Sequence, residues 1–245
     1  MKNIALIFAG GSGVRMNTKS RPKQFLELNG KPIIIYTIEL FDNHPEVDAI
    51  VVVCIEKWIP FLNKMLKKFE INKVVRIVPG GVTSQDSIFR GLCEIESYIN
   101  EEGDKDAVVM IHDGVRPLII PDTISSNIAK VKECGSSITV IPATETFVVK
   151  CDDGSLHIPD RSNCVLARAP QSFKLTDILS VHRRSRQENN MNFVDSCSMM
   201  SYYGYKLGIV EGPVENIKIT TPTDYFVFRA MVEVHENQQI FGIFG

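Results

Sequence analysis

Short apolar runs rich in β-branched residues alternate with amphipathic segments along the first 140 residues of the chain. Three of these runs, Ile4–Phe8, Ala49–Cys54 and Ala107–Ile111, contain no polar position. Continuous apolar strands separated by helices are typical of a parallel sheet that helices cover on both faces. The pattern therefore predicts an α/β fold with a Rossmann-like, doubly wound and mostly parallel sheet.

The other segments of this half complete the alternation. Further strands are predicted at Val74–Val78 and Ser137–Ile141. Helices are predicted at Pro32–Phe41, Trp58–Phe69, Ser84–Ile95 and 121–131. Ligands of such sheets bind beyond the carboxyl ends of the strands. The candidate site is therefore expected in the loops that follow four of the strands, after Phe8, Cys54, Val78 and Ile111.

The pattern changes after Pro142. Two short alternating runs surround Asp152-Asp153-Gly154, which is a signal for a hairpin turn. Residues 143–170 are predicted to form a β-arm that packs on another subunit, because a small exposed arm cannot bury both of its faces alone. Residues 1–245 are expected to form one domain, with later helices at 174–188 and 195–203, a strand at 206–211 and a helix from Pro222.

Charge and cysteine usage exclude several classes of function. The chain has 27 Lys and Arg against 29 Asp and Glu, a net charge of −2, so no global basic field attracts nucleic acid or an anionic membrane. Six cysteines without C-x-x-C spacing and five histidines argue against a zinc site or a disulfide framework. The first apolar run is too short for a signal peptide or a membrane span. We expect a cytoplasmic protein with reduced thiols.

The strongest local signal is a glycine loop directly after the first strand, Ala9-Gly10-Gly11-Ser12-Gly13. Its backbone N–H groups can wrap phosphate oxygens; a plain glycine turn is the alternative. The loop is not a dinucleotide fingerprint, because Met16 stands where the third glycine belongs. Arg15 and Lys23 add cations that suit a polyphosphate, although a solvated basic turn would look the same.

Later segments add further candidates. Asp113 follows a buried strand, where a carboxylate near bound phosphates is a natural Mg²⁺ ligand. Arg116 either meets a second anion or pairs with a carboxylate. Gly80-Gly81 and Ser87 combine a turn with a helix start, which either reads a base or only caps the helix. Lys218 lies in an apolar strand and needs an anionic partner or a wet edge.

Taken together and in this order, several stretches resemble the cytidylyltransferases of the methylerythritol phosphate and ribitol phosphate family. They extend from residue 4 to about residue 230 and include AGGSGVRM, RPKQFLELNGKPII, HDGVRP, PDR, APQSF and NIKITTPTD. The resemblance implies that an alditol phosphate attacks the α-phosphorus of CTP and that pyrophosphate leaves. The attacking phosphate has a second pKa of about 6, so it is already anionic and the reaction needs no general base.

The resemblance also implies the roles of particular residues. The catalytic residues would be Arg15, Lys23 and Lys218. The nucleotide would be bound by Ala9, Gly10, Gly11, Gly13, Gly80, Gly81, Ser87 and Asp113. Mg²⁺ or another divalent cation would be held by Asp113. The substrate would be bound by Arg116, Thr146 and Arg161. Because Thr146 and Arg161 belong to the arm and would serve the partner's site, the family pattern implies a homodimer with shared sites.

The chain departs from the family pattern on the substrate side. Ala169 replaces a frequent threonine, Glu145-Thr146 replaces Asp-Thr, and Ser84 replaces an arginine common in the methylerythritol branch. His112–Pro117 and Asp195-Ser196-Cys197 are closer to the ribitol branch. These features favour ribitol 5-phosphate or a similar polyol phosphate, used for surface polymers. The alternative is 2-C-methyl-D-erythritol 4-phosphate, used for isoprenoid precursors.

Two other classes of function remain as hypotheses. The first is an oxidoreductase with a Rossmann cofactor, against which the missing third glycine and the cationic pair both argue. The second is a nucleotide-binding protein without catalysis. The changes at Ala169 and Ser84 keep this hypothesis open.

Overall fold

The computed structural model describes residues 1–10 and 21–241, without the side chains of residues 235 and 238–241. Its helices and strands are, in chain order, β1 (Lys2–Ala9), β2 (Glu27–Leu28), β3 (Lys31–Pro32), α1 (Ile33–Asp42), β4 (Ala49–Cys54), α2 (Ile59–Lys68), β5 (Val74–Pro79), α3 (Ser84–Glu101), β6 (Ala107–Asp113), α4 (Pro121–Cys134), β7 (Ser136–Pro142), β8 (Val149–Lys150), β9 (Leu156–His157), β10 (Val165–Lys174), α5 (Leu175–Gln187), α6 (Ser196–Tyr202), β11 (Ile209–Glu211) and α7 (Pro222–Phe241). None of the described helices is long and apolar enough to cross a membrane.

Seven strands form one sheet in the order β11-β7-β10-β6-β1-β4-β5. Neighbouring strands are parallel except at β10, which is antiparallel to both β6 and β7. This arrangement confirms the predicted mostly parallel α/β sheet. At the centre, Ala9 of β1 lies beside Cys54 of β4, and Phe8 lies beside Asp113 of β6. The carboxyl ends of these three strands therefore meet at one edge of the sheet.

The two faces of the sheet carry separate apolar clusters, which explains why the central strands have no polar alternation. Ala5 and Ile7 of β1 pack in the cluster that contains α1, α2 and α4. Ile4 and Leu6 pack in the cluster that contains α3, α5 and α6. Because both faces are buried, every position of such a strand favours an apolar side chain.

Most predicted elements are confirmed, with ends that differ by a few residues; the predicted strand 206–211 is only Ile209–Glu211. Two of the elements that extend further than predicted bear on the site. Helix α3 begins at Ser84 as predicted and continues to Glu101, beyond the predicted end at Ile95. Strand β6 continues two residues past Ile111, so Asp113 is its last residue. The carboxylate therefore projects from a fixed strand end and not from a loop.

Strand β10 was not predicted from the sequence. The predicted arm extends to residue 170, but Val165–Lys174 is a strand of the main sheet, between β6 and β7. Its Pro170 lacks a backbone donor, which argues against a central strand. The sheet accommodates this proline with a shift of register between Ala167 and Gln171. Strand β10 thereby leads directly from the arm to the candidate site.

The hairpin itself is confirmed. In it, β8 and β9 pair antiparallel, with Val149 opposite His157, and the Asp152-Asp153-Gly154 stretch lies between them. The two strands form a sheet of their own. Large apolar side chains are exposed on and beside this hairpin, at Val148, Val149, Leu156 and Ile158.

Candidate active site

Asp113 is the centre of a charge cluster at the carboxyl end of β6. Its Oδ2 accepts a hydrogen bond from Arg116 Nε at 2.7 Å, and its Oδ1 lies 2.6 Å from Lys218 Nζ. Burial alone would raise the pKa of Asp113, but the positive charges of Lys218 and Arg116 outweigh burial and lower this pKa to about 2. The carboxylate is therefore ionised at neutral pH. The structure thus places three of the predicted site residues side by side.

Asn216 connects the charge cluster to β10. Its backbone oxygen accepts a hydrogen bond from Arg116 Nη1 at 2.9 Å, and its Nδ2 donates to the backbone oxygen of Ala169 at 2.6 Å. The residue is fully buried. One asparagine thus fixes both the arginine and the backbone at Ala169, a role that sequence reasoning missed.

The cluster opens into a cavity of about 210 Å³. Charged and polar side chains line it from three sides, at Ser84, Asp113, Arg116, Arg168, Gln171, Asp195 and Lys218. Ser84 and Ala169, two positions where the sequence departs from the family pattern, both lie on its wall. The changed residues therefore surround the same space as the charge cluster.

The far wall of the cavity is held by a hydrogen-bond network. Gln171 Nε2 donates to Asp195 Oδ2 at 3.0 Å, and Gln171 Oε1 accepts from the backbone nitrogen of Cys197 at 2.9 Å. Asp195 also caps α6 by accepting a hydrogen bond from the backbone nitrogen of Ser198. The carboxylate of Asp195 is therefore already engaged by protein donors.

The turn after β5 closely approaches the end of β1. A Cβ atom on Gly80 would lie 3.2 Å from the Cα of Gly10, and one on Gly10 would lie 3.0 Å from Ser87 Oγ. Ser87 Oγ accepts a hydrogen bond from the backbone nitrogen of Gly81 at 3.0 Å and donates one to the backbone oxygen of Thr83 at 2.9 Å. Ser87 thus holds the turn, and its proton is not free for a ligand.

The segment that carries Lys23 docks on the end of β1 and on the chain next to Lys218. Gln24 Nε2 donates to the backbone oxygen of Ala9 at 2.6 Å, and Lys23 Nζ donates to the backbone oxygen of Ile219 at 2.9 Å. Lys23 and Lys218, which are far apart in the sequence, therefore lie on segments that are in contact. The predicted site residues Gly11, Gly13 and Arg15 lie outside the described residues.

Thr146 and Arg161 lie together at a second, open cavity on the arm, of about 700 Å³. Arg161 is exposed, and its Nη1 donates to the backbone oxygen of Thr144 at 3.1 Å. This cavity shares no lining residue with the one at Asp113. Within one chain, these two residues are therefore apart from Arg116, the third predicted substrate residue.

His112 is a structural residue beside the cluster. It is fully buried, and its Nε2 donates to the backbone oxygen of Arg116 at 3.1 Å. Burial lowers the pKa of His112 to about 4, despite the opposing contributions of that hydrogen bond and of Asp113. The imidazole is neutral near pH 7, and its Nε2 proton holds the arginine backbone.

Comparisons with known proteins show the family of the chain. A family model described as 2-C-methyl-D-erythritol 4-phosphate cytidylyltransferase matches residues 3–234. The chain belongs to this cytidylyltransferase family. The family is one of CTP-dependent nucleotidyltransferases, and membership replaces the oxidoreductase hypothesis.

Relatives within the cytidylyltransferase family carry two substrate names. A Vibrio parahaemolyticus protein named ribitol-5-phosphate cytidylyltransferase is 54% identical over 241 residues, which cover 98% of this chain and 100% of that protein. A Clostridium botulinum protein named 2-C-methyl-D-erythritol 4-phosphate cytidylyltransferase is 36% identical, with 95% and 98% covered. The crystal structure of 4-diphosphocytidyl-2C-methyl-D-erythritol synthase from Anaerococcus prevotii has a TM-score of 0.80 at 24% identity, with 95% and 96% covered, and shows the same fold.

Three residues of this cytidylyltransferase site escaped the sequence analysis. They are Asn216, Gln171 and Arg168. Asn216 and Gln171 stand inside stretches used for the resemblance, NIKITTPTD and APQSF, and Arg168 directly precedes the second. The available signal was a polar or charged residue in a strand-like run. Arg168 and Gln171 could not be assigned to the site from this signal, because strand β10, which carries both, was not predicted.

Proposed function

We propose that this cytidylyltransferase transfers the cytidylyl group of CTP to ribitol 5-phosphate, giving CDP-ribitol and pyrophosphate. The observation that carries the proposal is the Asp113 cluster, in which one carboxylate and two cations lie at the sheet edge where the glycine turns also meet. The end-to-end similarity to the Vibrio parahaemolyticus protein supports ribitol 5-phosphate as the acceptor.

The chemistry needs alignment of two anions and neutralisation of charge more than it needs a base. The acceptor phosphate is itself the nucleophile. Lys23 and Lys218 supply positive charge for the α-phosphate as its charge grows in the transition state. His112 does not serve as a base, because it is buried and its proton binds the carbonyl of Arg116. Arg116 is held in place by Asp113 and Asn216, which fixes its charge at the cavity wall.

Mg²⁺ is the metal that we propose for this site, with Asp113 as its acidic ligand. Residues 1–10 and 21–241 contain no group of three or more potential His, Cys, Asp or Glu ligands. Each Asp113 oxygen already faces a cation but retains a further lone pair. This donor set fits an ion that takes most of its ligands from nucleotide phosphates and water, as Mg²⁺ does. When bound, the ion would neutralise phosphate charge.

We further propose a homodimer in which each arm completes the site of the partner. The exposed apolar hairpin supports this arrangement, because two strands alone are marginally stable in water. The separation of Thr146 and Arg161 from the Asp113 cavity supports it as well. We place the protein in the cytoplasm, which is consistent with its six free cysteines.

The competing acceptor is 2-C-methyl-D-erythritol 4-phosphate, which the description of the family and the 36% identical relative both name. A single assay separates the two acceptors: pyrophosphate release with CTP and Mg²⁺, with each alditol phosphate in a separate reaction. Turnover with ribitol 5-phosphate alone would support the proposal. Turnover with the methylerythritol substrate alone would refute it, and silence with both in protein that binds CTP would indicate a non-catalytic nucleotide binder.

The same assay tests Lys23 as a catalytic residue. Lys23→Ala is expected to lower kcat by about 100-fold or more, the usual cost of losing one transition-state donor, while the melting temperature stays near that of the wild type. Lys64→Ala is the matched control, because Lys64 is exposed on α2 and does not line the Asp113 cavity. Near-normal turnover of Lys23→Ala would remove this lysine from the catalytic group.

A further inference from the structure

Arg168 of β10 lies in the wall of the Asp113 cavity without a protein partner for its buried donor. The Nε atom of Arg168 is inaccessible to solvent and forms no hydrogen bond with any part of the chain that the structure describes. A buried donor left without an acceptor is unfavourable. Arg168 as a whole is partly exposed, so its guanidinium is within reach of a ligand oxygen in the cavity that it lines.

The charges around Arg168 also favour an anion. Burial and the nearby positive charge of Arg116 both lower the pKa of Arg168. The described residues of the cavity wall include three cations, Arg116, Arg168 and Lys218, but only two carboxylates. Asp113 is engaged by Arg116 and Lys218, and Asp195 is engaged by Gln171 and the start of α6. Arg168 is therefore the cation of the described wall that neither of these carboxylates engages.

The size of the cavity limits what this anion can be. Its volume of about 210 Å³ is below the roughly 300–1,000 Å³ of pockets that enclose drug-sized ligands. A small phosphorylated polyol matches this space better than a whole nucleotide does. Among the described glycines at the expected place of the nucleotide, Gly10, Gly80 and Gly81 are not part of the cavity wall.

We infer that Arg168 is a further substrate-binding residue, whose guanidinium donates hydrogen bonds to the phosphate of the alditol phosphate. The inference rests on the proposed function and adds to it a contact from the same chain as Asp113, distinct from the contacts expected of the arm. Because residue 168 adjoins Ala169, whose carbonyl is fixed by Asn216, the backbone that presents the guanidinium is itself held in place.

The test compares Arg168→Gln and Arg168→Lys with the wild type in steady-state kinetics. Arg168→Gln is expected to raise the KM for ribitol 5-phosphate about 10-fold or more, the usual effect of losing a hydrogen bond to a charged group, and to leave the KM for CTP nearly unchanged. Arg168→Lys keeps the charge but loses the planar fork, so it should recover part of the affinity. Arg184→Gln is the control, because Arg184 is an exposed residue of α5 that pairs with Glu188.

A melting experiment distinguishes a role of Arg168 in substrate binding from a purely structural role. Removing an uncompensated cation should raise the melting temperature of the ligand-free Arg168→Gln protein, by about 2 °C, while the same change weakens substrate binding. A lower melting temperature together with equal increases in both KM values would overturn the inference. An unchanged KM for ribitol 5-phosphate, or an increase confined to CTP, would overturn it as well.

Direct binding keeps this test separate from the proposed function. Calorimetric titration with ribitol 5-phosphate and with inorganic phosphate compares the wild type and Arg168→Gln without turnover. A wild type that binds but does not turn over would refute the proposed reaction, and weaker binding of either probe by the variant would still support the role of Arg168. Equal affinities of the two proteins for the probes that bind would refute that role, whatever the turnover.

Discussion

Replacing Asp113 by asparagine measures how strongly the buried charge cluster stabilises the fold. The folded protein lowers the pKa of this carboxyl from 3.8 to about 2, and at about 1.36 kcal/mol per pH unit the ionised carboxylate stabilises the fold by a few kcal/mol. Breaking a buried ion pair on one side usually costs about 3–5 kcal/mol. The side chain of Arg116 is only 9% exposed, so its charge would lose its partner away from water. We therefore expect Asp113→Asn to lower the free energy of unfolding by about 3 kcal/mol.

Urea denaturation at neutral pH measures this loss, and a double-mutant cycle identifies its origin. Lys218→Met should cost less than Asp113→Asn, because the lysine side chain is 38% exposed and its charge is partly screened by solvent. The double variant should lose less than the sum of the two single losses, since the second change removes a cation that the first left unpaired. Asp152→Asn, in the exposed turn of the arm, is the matched control. A loss below about 1 kcal/mol for Asp113→Asn, or strict additivity with Lys218→Met, would refute the reasoning.

Two further predictions concern the arm and the buried histidines. Arg161→Ala is expected to raise the KM for the alditol phosphate far more than the KM for CTP. If each arm serves the site of the partner, mixing the Arg161→Ala protein with the Lys23→Ala protein should restore part of the lost turnover. Equal effects on the two KM values, or no restored turnover, would contradict this assignment. Stability should fall as the pH drops from 6.5 toward 4, because burial lowers the pKa values of His112 and His182 to about 4 and the unfolded chain takes up these protons first. Each histidine contributes at most roughly 3 kcal/mol to this fall, and His182→Leu should reduce it in urea titrations, whereas the exposed His157→Leu should not.

The sequence predicts those strands whose apolar pattern follows directly from the burial of both strand faces. Ala49–Cys54 is apolar throughout because helices cover both faces of β4, so the pattern reports its burial directly. The sequence pattern of β10 does not indicate that it is a buried strand. It mixes polar and apolar residues and contains Pro170, and only the paired edges of β6 and β7 make it a strand.

The same distinction applies to the site. Asp113, Gly80 and Gly81 could be predicted, because each follows or ends a recognisable strand and shares one edge of the sheet. Arg168 could not be predicted, because its place depends on the insertion of β10 beside β6. The hydrogen bond of Lys23 to Ile219 likewise joins residues 196 positions apart, and no local pattern encodes such a contact.

The central position of β10 affects how the chain folds while it is being synthesised. The strands β5, β4, β1 and β6 are contiguous in the sheet and complete once Asp113 has been made, whereas β7 has only β10 and β11 as neighbours. Until Val165–Lys174 emerges, the backbone N–H and C=O groups along one edge of β6 stay unpaired, and such an edge is a template for pairing with other chains. At about 5–20 residues per second, the ribosome takes several seconds to cross that interval. The nascent protein therefore depends on protection of one strand edge during this period, and β10 ends the exposure by joining the two halves of the sheet.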